Sequence, residues 1–475
     1  MRGKRTAGAV ALLCALTASA VAQPAPPSLD LLTSGSEIPF AVTMPQDVAA
    51  GPLALQQPFF DDFSWRSFIA LNWPAALGPN GLPLRGVPDK QTPITKGLTA
   101  TRTWESWKAA WELFKPTQDP TPFADYDRVP VDCPAVNAGN PPQRVLVMTS
   151  KVQSLVNDLN QAFSGPLIDQ NQNYVRYEIK INQTQYNAIR DNRWFISDNL
   201  PKQVNFVSSV QAPQQIRGAI ELKAAWRELI DGQDDFSRYY STEVFLLEPG
   251  TPMTCRLAKM GLIGLHIVHK VAPFREWVWS SFEHVDNVPD PAHPARPAYS
   301  LNNGKDVPAT VNGFFYPPTP DQPPNPLSAG QPLPPKSDPR RAPVQVTRFT
   351  PIRPDTQQIN AAYQKLLRGT PFEFYQALPT QWPSIRGGTQ YQLGGTYPTD
   401  SGNPFPLRHV SNTTAETYFQ NSRRSSCMEC HYQAAGTDFS WVLALRASAS
   451  TAASRARLES VLDRLRGSTA CCDTR

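Results

Sequence analysis

Past residue 23 this 475-residue chain has no apolar run near the ~20 residues that a membrane-spanning helix needs. No integral membrane segment is expected in the mature chain. Lysine is scarce, no lysine/arginine run occurs, and the formal net charge is only +5. Nothing here has the electrostatic footprint of a nucleic-acid binder. The chain has no phosphate-binding Gly-x-x-x-x-Gly-Lys loop, no dinucleotide fingerprint and no Gly-x-Ser-x-Gly nucleophile elbow. A purely hydrolytic enzyme is therefore a poor fit. There is also only one Cys-x-x-Cys, so a four-cysteine zinc site has too few ligands.

The N-terminus has what the rest lacks. Arg2, Lys4 and Arg5 precede the apolar stretch from Ala7 to Leu16, and Ala20-Val21-Ala22 has the form of a cleavage site. Residues 1–22 read as a signal peptide, with Gln23 starting an exported chain. Cys14 follows Leu13 rather than a small residue, which argues against lipidation. In an oxidising compartment Cys133 and Cys255 are able to pair. Cys471 and Cys472 form an adjacent couple near the end, and the sequence leaves connectivity open.

Proline is abundant, at 49 residues, while 11 tryptophans and 22 phenylalanines supply core material. The composition predicts a globular chain with long stiff loops rather than disorder. Trp65, Phe68, Ile69 and Asn72 fall at helical spacing ahead of Pro74. Residues 98–114 read as a second helix with Trp104, Trp107 and Trp111 on one face, as core packing. Strand patterns follow at 144–149, 173–182, 206–210, 242–247, 262–268 and 277–285; 219–228 suits strand or helix. Helical patterns return at 355–367, 412–419 and 439–449.

The expected class is α+β, with a mainly antiparallel β centre, peripheral helices, and a helical, loop-rich C-terminal region. Residues 23–315 form the β-rich substrate- or partner-binding region. Residues 316–343 are a proline-rich linker or long loop, and 344–475 the C-terminal region.

That last region contains Cys427-Met428-Glu429-Cys430-His431. Cys-x-x-Cys-His is a covalent haem attachment site: two thioethers fix the porphyrin, and the next imidazole binds iron. Behind an export signal it predicts one haem c, held by Cys427 and Cys430 with His431 as proximal ligand, in the periplasm. In this motif the chain resembles c-type cytochromes. The resemblance implies redox chemistry. Small c-type cytochromes place the motif early and a methionine ligand downstream, whereas residues 432–475 contain no methionine. A sixth ligand, if present, must come from upstream: His409 is the nearest upstream histidine, Met253 and Met260 are alternatives, and an open or water-bound iron is an equal expectation.

A second polar set lies at His266, His269, Arg275, Glu276, Glu283, His284 and Asp286. If the strand patterns hold, His266 and His269 project to opposite faces, as do Glu283 and His284. As a distal pocket, His269 or His284 would transfer protons, Glu283 would orient an imidazole, and Arg275 would polarise a bound oxidant. These residues lead to three functional readings. The first is an exported monohaem oxidoreductase acting on a small molecule or oxidant. The second is an electron-transfer cytochrome that docks on a redox partner protein, and the third is a haem-based gas sensor. Oligomeric state is not encoded in any of these features.

Overall fold

The computed structural model describes residues 42–46, 48, 56–115, 119–127, 145–146, 166–209, 217–248, 254–271, 277–290, 292–304, 333–382, 410–420 and 427–447. The protein is α+β, built on one eight-stranded sheet. Strands β3 (Lys108–Ala109), β5 (Arg176–Ile181), β6 (Ile220–Glu228), β8 (Thr254–Lys270), β9 (Trp277–His284) and β10 (Tyr375–Ala377) are antiparallel neighbours, in the order β10-β9-β8-β6-β5-β3. Strand β7 (Ser241–Glu248) pairs with the first half of β8, and β4 (Val145–Leu146) lies parallel to β7. A separate hairpin joins β1 (Ala75–Leu77) to β2 (Pro83–Pro88). Among the described residues no helix is long and apolar enough to cross a membrane.

Alternation along the strands sorts two covers onto two faces. On one face lie Leu265, Ile267 and His269 of β8 and Val278, Ser280 and Phe282 of β9. Helix α1 (Gln56–Leu71) packs there. Phe68 meets Phe282 at 4.5 Å, Phe63 meets His269 at 5.8 Å, and Ser64 Oγ donates to Ser280 Oγ at 2.7 Å. Trp65 is fully buried between Phe282 and Tyr363 of α4 (Pro354–Leu366), and its indole N–H donates to Asn360 Oδ1 at 2.8 Å. Burying aromatic area of this kind is the main favourable term for such a layer.

The other face presents Gly264, His266 and Lys270 of β8 with Trp277, Trp279, Ser281 and Glu283 of β9. Asn412, Thr413 and Thr414, then His431 and Asp438, contact it. Thus β10 and α4, both beyond the proline-rich stretch, belong to the same sheet and its cover. Most of that stretch, 305–332, lies outside the described residues.

Several expected elements differ. The helix expected over 98–114 reduces to α2 (Ala110–Leu113) after the two-residue strand β3. Local side chains compete with helix here. Glu105 Oε2 accepts the Arg102 N–H at 2.7 Å and the Tyr240 hydroxyl, and Ser106 Oγ donates to Thr103 O at 2.7 Å. Trp104 and Trp107 still pack into the main core. Residues 219–228 resolve as strand β6. Residues 206–209 form no regular strand, only an isolated bridge from Ser209 to Val271. Helix α3 (Gln183–Asp191) is capped by Asn182, which accepts from the Gln185 N–H. The 412–419 helix is a single 3-10 turn at Thr417–Phe419, and 439–449 contains α6 (Trp441–Arg446).

Candidate functional site

The Cys-x-x-Cys-His residues form one short helix, α5 (Cys427–His431). Cys427 and Cys430 are free thiols. Two clamps seat the flanking chain on the sheet. Upstream, Asn412 Nδ2 donates to Ser281 Oγ at 3.0 Å, and Thr413 donates to Glu283 through both N–H (3.0 Å) and Oγ1 (2.8 Å). Thr414 then sits on Gly264, where a Cβ would stand 2.2 Å from Thr414 Oγ1. Only glycine allows that approach. Downstream, Asp438 pairs with Lys270 and accepts the Phe206 N–H at 2.7 Å, while Trp277 donates its indole N–H to Asp438 O at 2.8 Å.

Asp438 and Phe439 both take left-handed backbone conformations, φ 54° and 66°. For non-glycine residues this costs roughly 1–2 kcal/mol each, and a bulky side chain there is an outlier. The Lys270 and Trp277 contacts hold the turn in place. Its consequence is local: the Phe439 carbonyl is presented to His431 Nδ1 at 2.8 Å. That contact fixes the proton on Nδ1 and leaves the Nε2 lone pair available. Histidines that bind metal are oriented in this way.

The His431 ring lies 4.2 Å from Trp279 and 6.4 Å from Trp441. Burial pushes its pKa down to about 3, helped by His266 and Lys223 and opposed by the Phe439 carbonyl. The imidazole is therefore neutral, the form that coordinates. Burial pushes the Cys427 thiol up, with Glu416 and Cys430 adding to the effect. Cys427, Cys430, His431 and His266 each keep some exposure, yet burial dominates the protonation of Cys427, His431 and His266. Such side chains line a recess.

The expected distal residues do not gather there. His269 is on the opposite face of the sheet against Phe63. His284 is also on that face; its Nε2 meets Arg238 O at 2.9 Å, its Nδ1 accepts the Asp286 N–H at 3.1 Å, and its ring stacks on Tyr239 at 4.1 Å. Glu283 is on the C-terminal face, but it is engaged by Thr413, Gln376 and Arg348 as the anchor of the upstream clamp. Arg275, Glu276 and His409 lie outside the described residues.

The recess instead contains residues that spacing did not single out for it. His266 Nε2 stands 3.7 Å from Glu416 Oε2, with Lys223 paired to His266 across β6 and β8. Burial pushes Glu416 up to about 7, opposed by the Asn412 N–H and Lys223. His266 is pushed down to about 3 by burial, with Lys223 adding. The strand alternation showed which way His266 points relative to His269, but only the clamps show which face the motif covers.

The residues fit a haem c: two free thiols one helical turn apart, an adjacent neutral imidazole with its tautomer fixed, and aromatic walls. Comparison of the chain with known protein families, curated proteins and solved structures found no match.

Proposed function

We propose that this protein is an exported monohaem c-type redox protein. Cys427 and Cys430 carry the haem, and His431 is its proximal ligand. The hydrogen bond from His431 Nδ1 to the Phe439 carbonyl carries this reading, because a strained turn is held by two strands to make it. A covalently held haem supplies one-electron chemistry. The protein's own residues orient the imidazole, keep it neutral and wall the recess with Trp279 and Trp441.

Two uses of the site divide on iron ligation. With the second axial position open, the protein would act as an oxidoreductase on a small molecule or oxidant. With that position filled by a strong ligand, it would be an electron-transfer cytochrome whose large β-rich region docks on a redox partner. A second imidazole in the recess, His266, whose Nε2 is buried, favours the latter. Export through residues 1–22 and pairing of Cys133 with Cys255 belong to the same proposal, since haem attachment and disulfides share an oxidising compartment.

The test is expression with a c-type haem maturation system. One haem should survive denaturation and organic extraction, and the mature N-terminus should be Gln23. The Cys427→Ala/Cys430→Ala variant should hold none. Covalent haem persisting in that variant would reject the attachment site.

A further inference from the structure

His266 has the placement of an axial ligand. Its Nε2 is buried without a hydrogen-bond partner, and the Glu416 carboxylate at 3.7 Å is beyond hydrogen-bond reach. An unsatisfied buried nitrogen of this kind costs about 1–3 kcal/mol, a cost that coordination would offset.

Register places it over the motif. On β8 it sits between Gly264, which seats Thr414, and Lys270, which pairs with Asp438. Cys427–His431 lies between Thr414 and Asp438 in sequence, and the motif touches this face of the sheet through His431. Ser281 is directly opposite His266, and Trp279, opposite Val268, is its diagonal neighbour on β9. The Trp279 ring is the one packed on His431. Other described histidines are elsewhere or engaged: His269 and His284 face the helices, and His293 Nε2 bonds Gln376 Oε1 at 2.7 Å.

We infer that His266 is the second axial ligand of the haem carried by Cys427 and Cys430. This rests on the covalent-haem reading above.

The experiment is ferric and ferrous absorption and electron paramagnetic resonance of the holo-protein, with and without carbon monoxide, for wild type, His266→Ala, His266→Met and His269→Ala. The wild type should be low-spin and should not bind carbon monoxide. His266→Ala should become high-spin and bind it fully, and added imidazole should restore the low-spin spectrum. His266→Met should stay six-coordinate with a raised midpoint potential, which keeps the test decisive if the alanine variant folds poorly. His269→Ala should match wild type. A high-spin wild type, or a low-spin spectrum unchanged in both His266 variants, overturns the ligation while leaving covalent haem intact. A wild type with no covalent haem overturns both readings.

Discussion

The two faces of the central sheet solve different problems with the same strands. Toward α1 and α4 the contacts are mainly aromatic: Phe68 on Phe282, Trp65 between Phe282 and Tyr363, Phe63 on His269. Toward the C-terminal segment they are directional: Lys270 to Asp438, Glu283 to Thr413, Ser281 to Asn412, Trp277 to the Asp438 carbonyl. Hydrophobic burial is non-directional and scales with area, so the helix face supplies stability. Hydrogen bonds and buried charge pairs specify position, so the other face sets where the Cys-x-x-Cys-His helix sits. The comparison predicts that substitutions on the helix face act on stability and those on the C-terminal face act on the haem.

The largest effect on stability is expected from Trp65→Ala. It removes a fully buried indole together with the Asn360 bond, a loss of about 3–5 kcal/mol. Urea titration would measure it, and the haem spectrum of the folded fraction should be unchanged. Asp438→Asn should cost about 3 kcal/mol, the low end for a broken buried pair, because Asn205 Oδ1 still accepts from Lys270 at 2.6 Å. Unlike the tryptophan variant, it should alter the spectrum and midpoint potential, since the Phe439 carbonyl loses its fixed position. An unaltered potential would show that the clamp does not set the His431 geometry. Gly264→Ala drives a methyl into Thr414, an overpacking cost of about 1–3 kcal/mol. Its effect should be local, as faster amide exchange across 412–420 with little change in α1.

Much of this architecture was written in local pattern. Alternating apolar positions marked β5, β7, β9 and the second half of β8, and left β6 open between strand and helix. Helical spacing marked α1, and Cys427, Cys430 and His431 stood out from their spacing alone. Alternation also put His266 and His269 on opposite faces. What local pattern could not supply was which face the motif would cover. That choice is made by Lys270 and Asp438, 168 residues apart, and by a glycine whose missing Cβ matters only once Thr414 arrives. Hence His269, His284 and Glu283 read as distal residues from composition, although Phe63, Tyr239 and Thr413 already occupy them. The strained turn at Asp438-Phe439 also gives no sequence sign, because neither residue is the glycine that a left-handed backbone normally calls for.

The smallest predicted effect belongs to the helix face and is set by pH. His269 is buried beneath Phe63, and burial alone pushes its pKa from 6.5 down to about 3. The folded protein therefore binds fewer protons here than the unfolded chain between those values. This contribution to stability is complete above pH 6.5 and is lost progressively as pH falls toward 3. At pH 5.5 the loss is about 1.4 kcal/mol. His269→Leu removes that term, so the gap between variant and wild type should move in the variant's favour by that amount from pH 8 to pH 5.5. A gap that stays constant across that range would show that His269 takes up protons while folded.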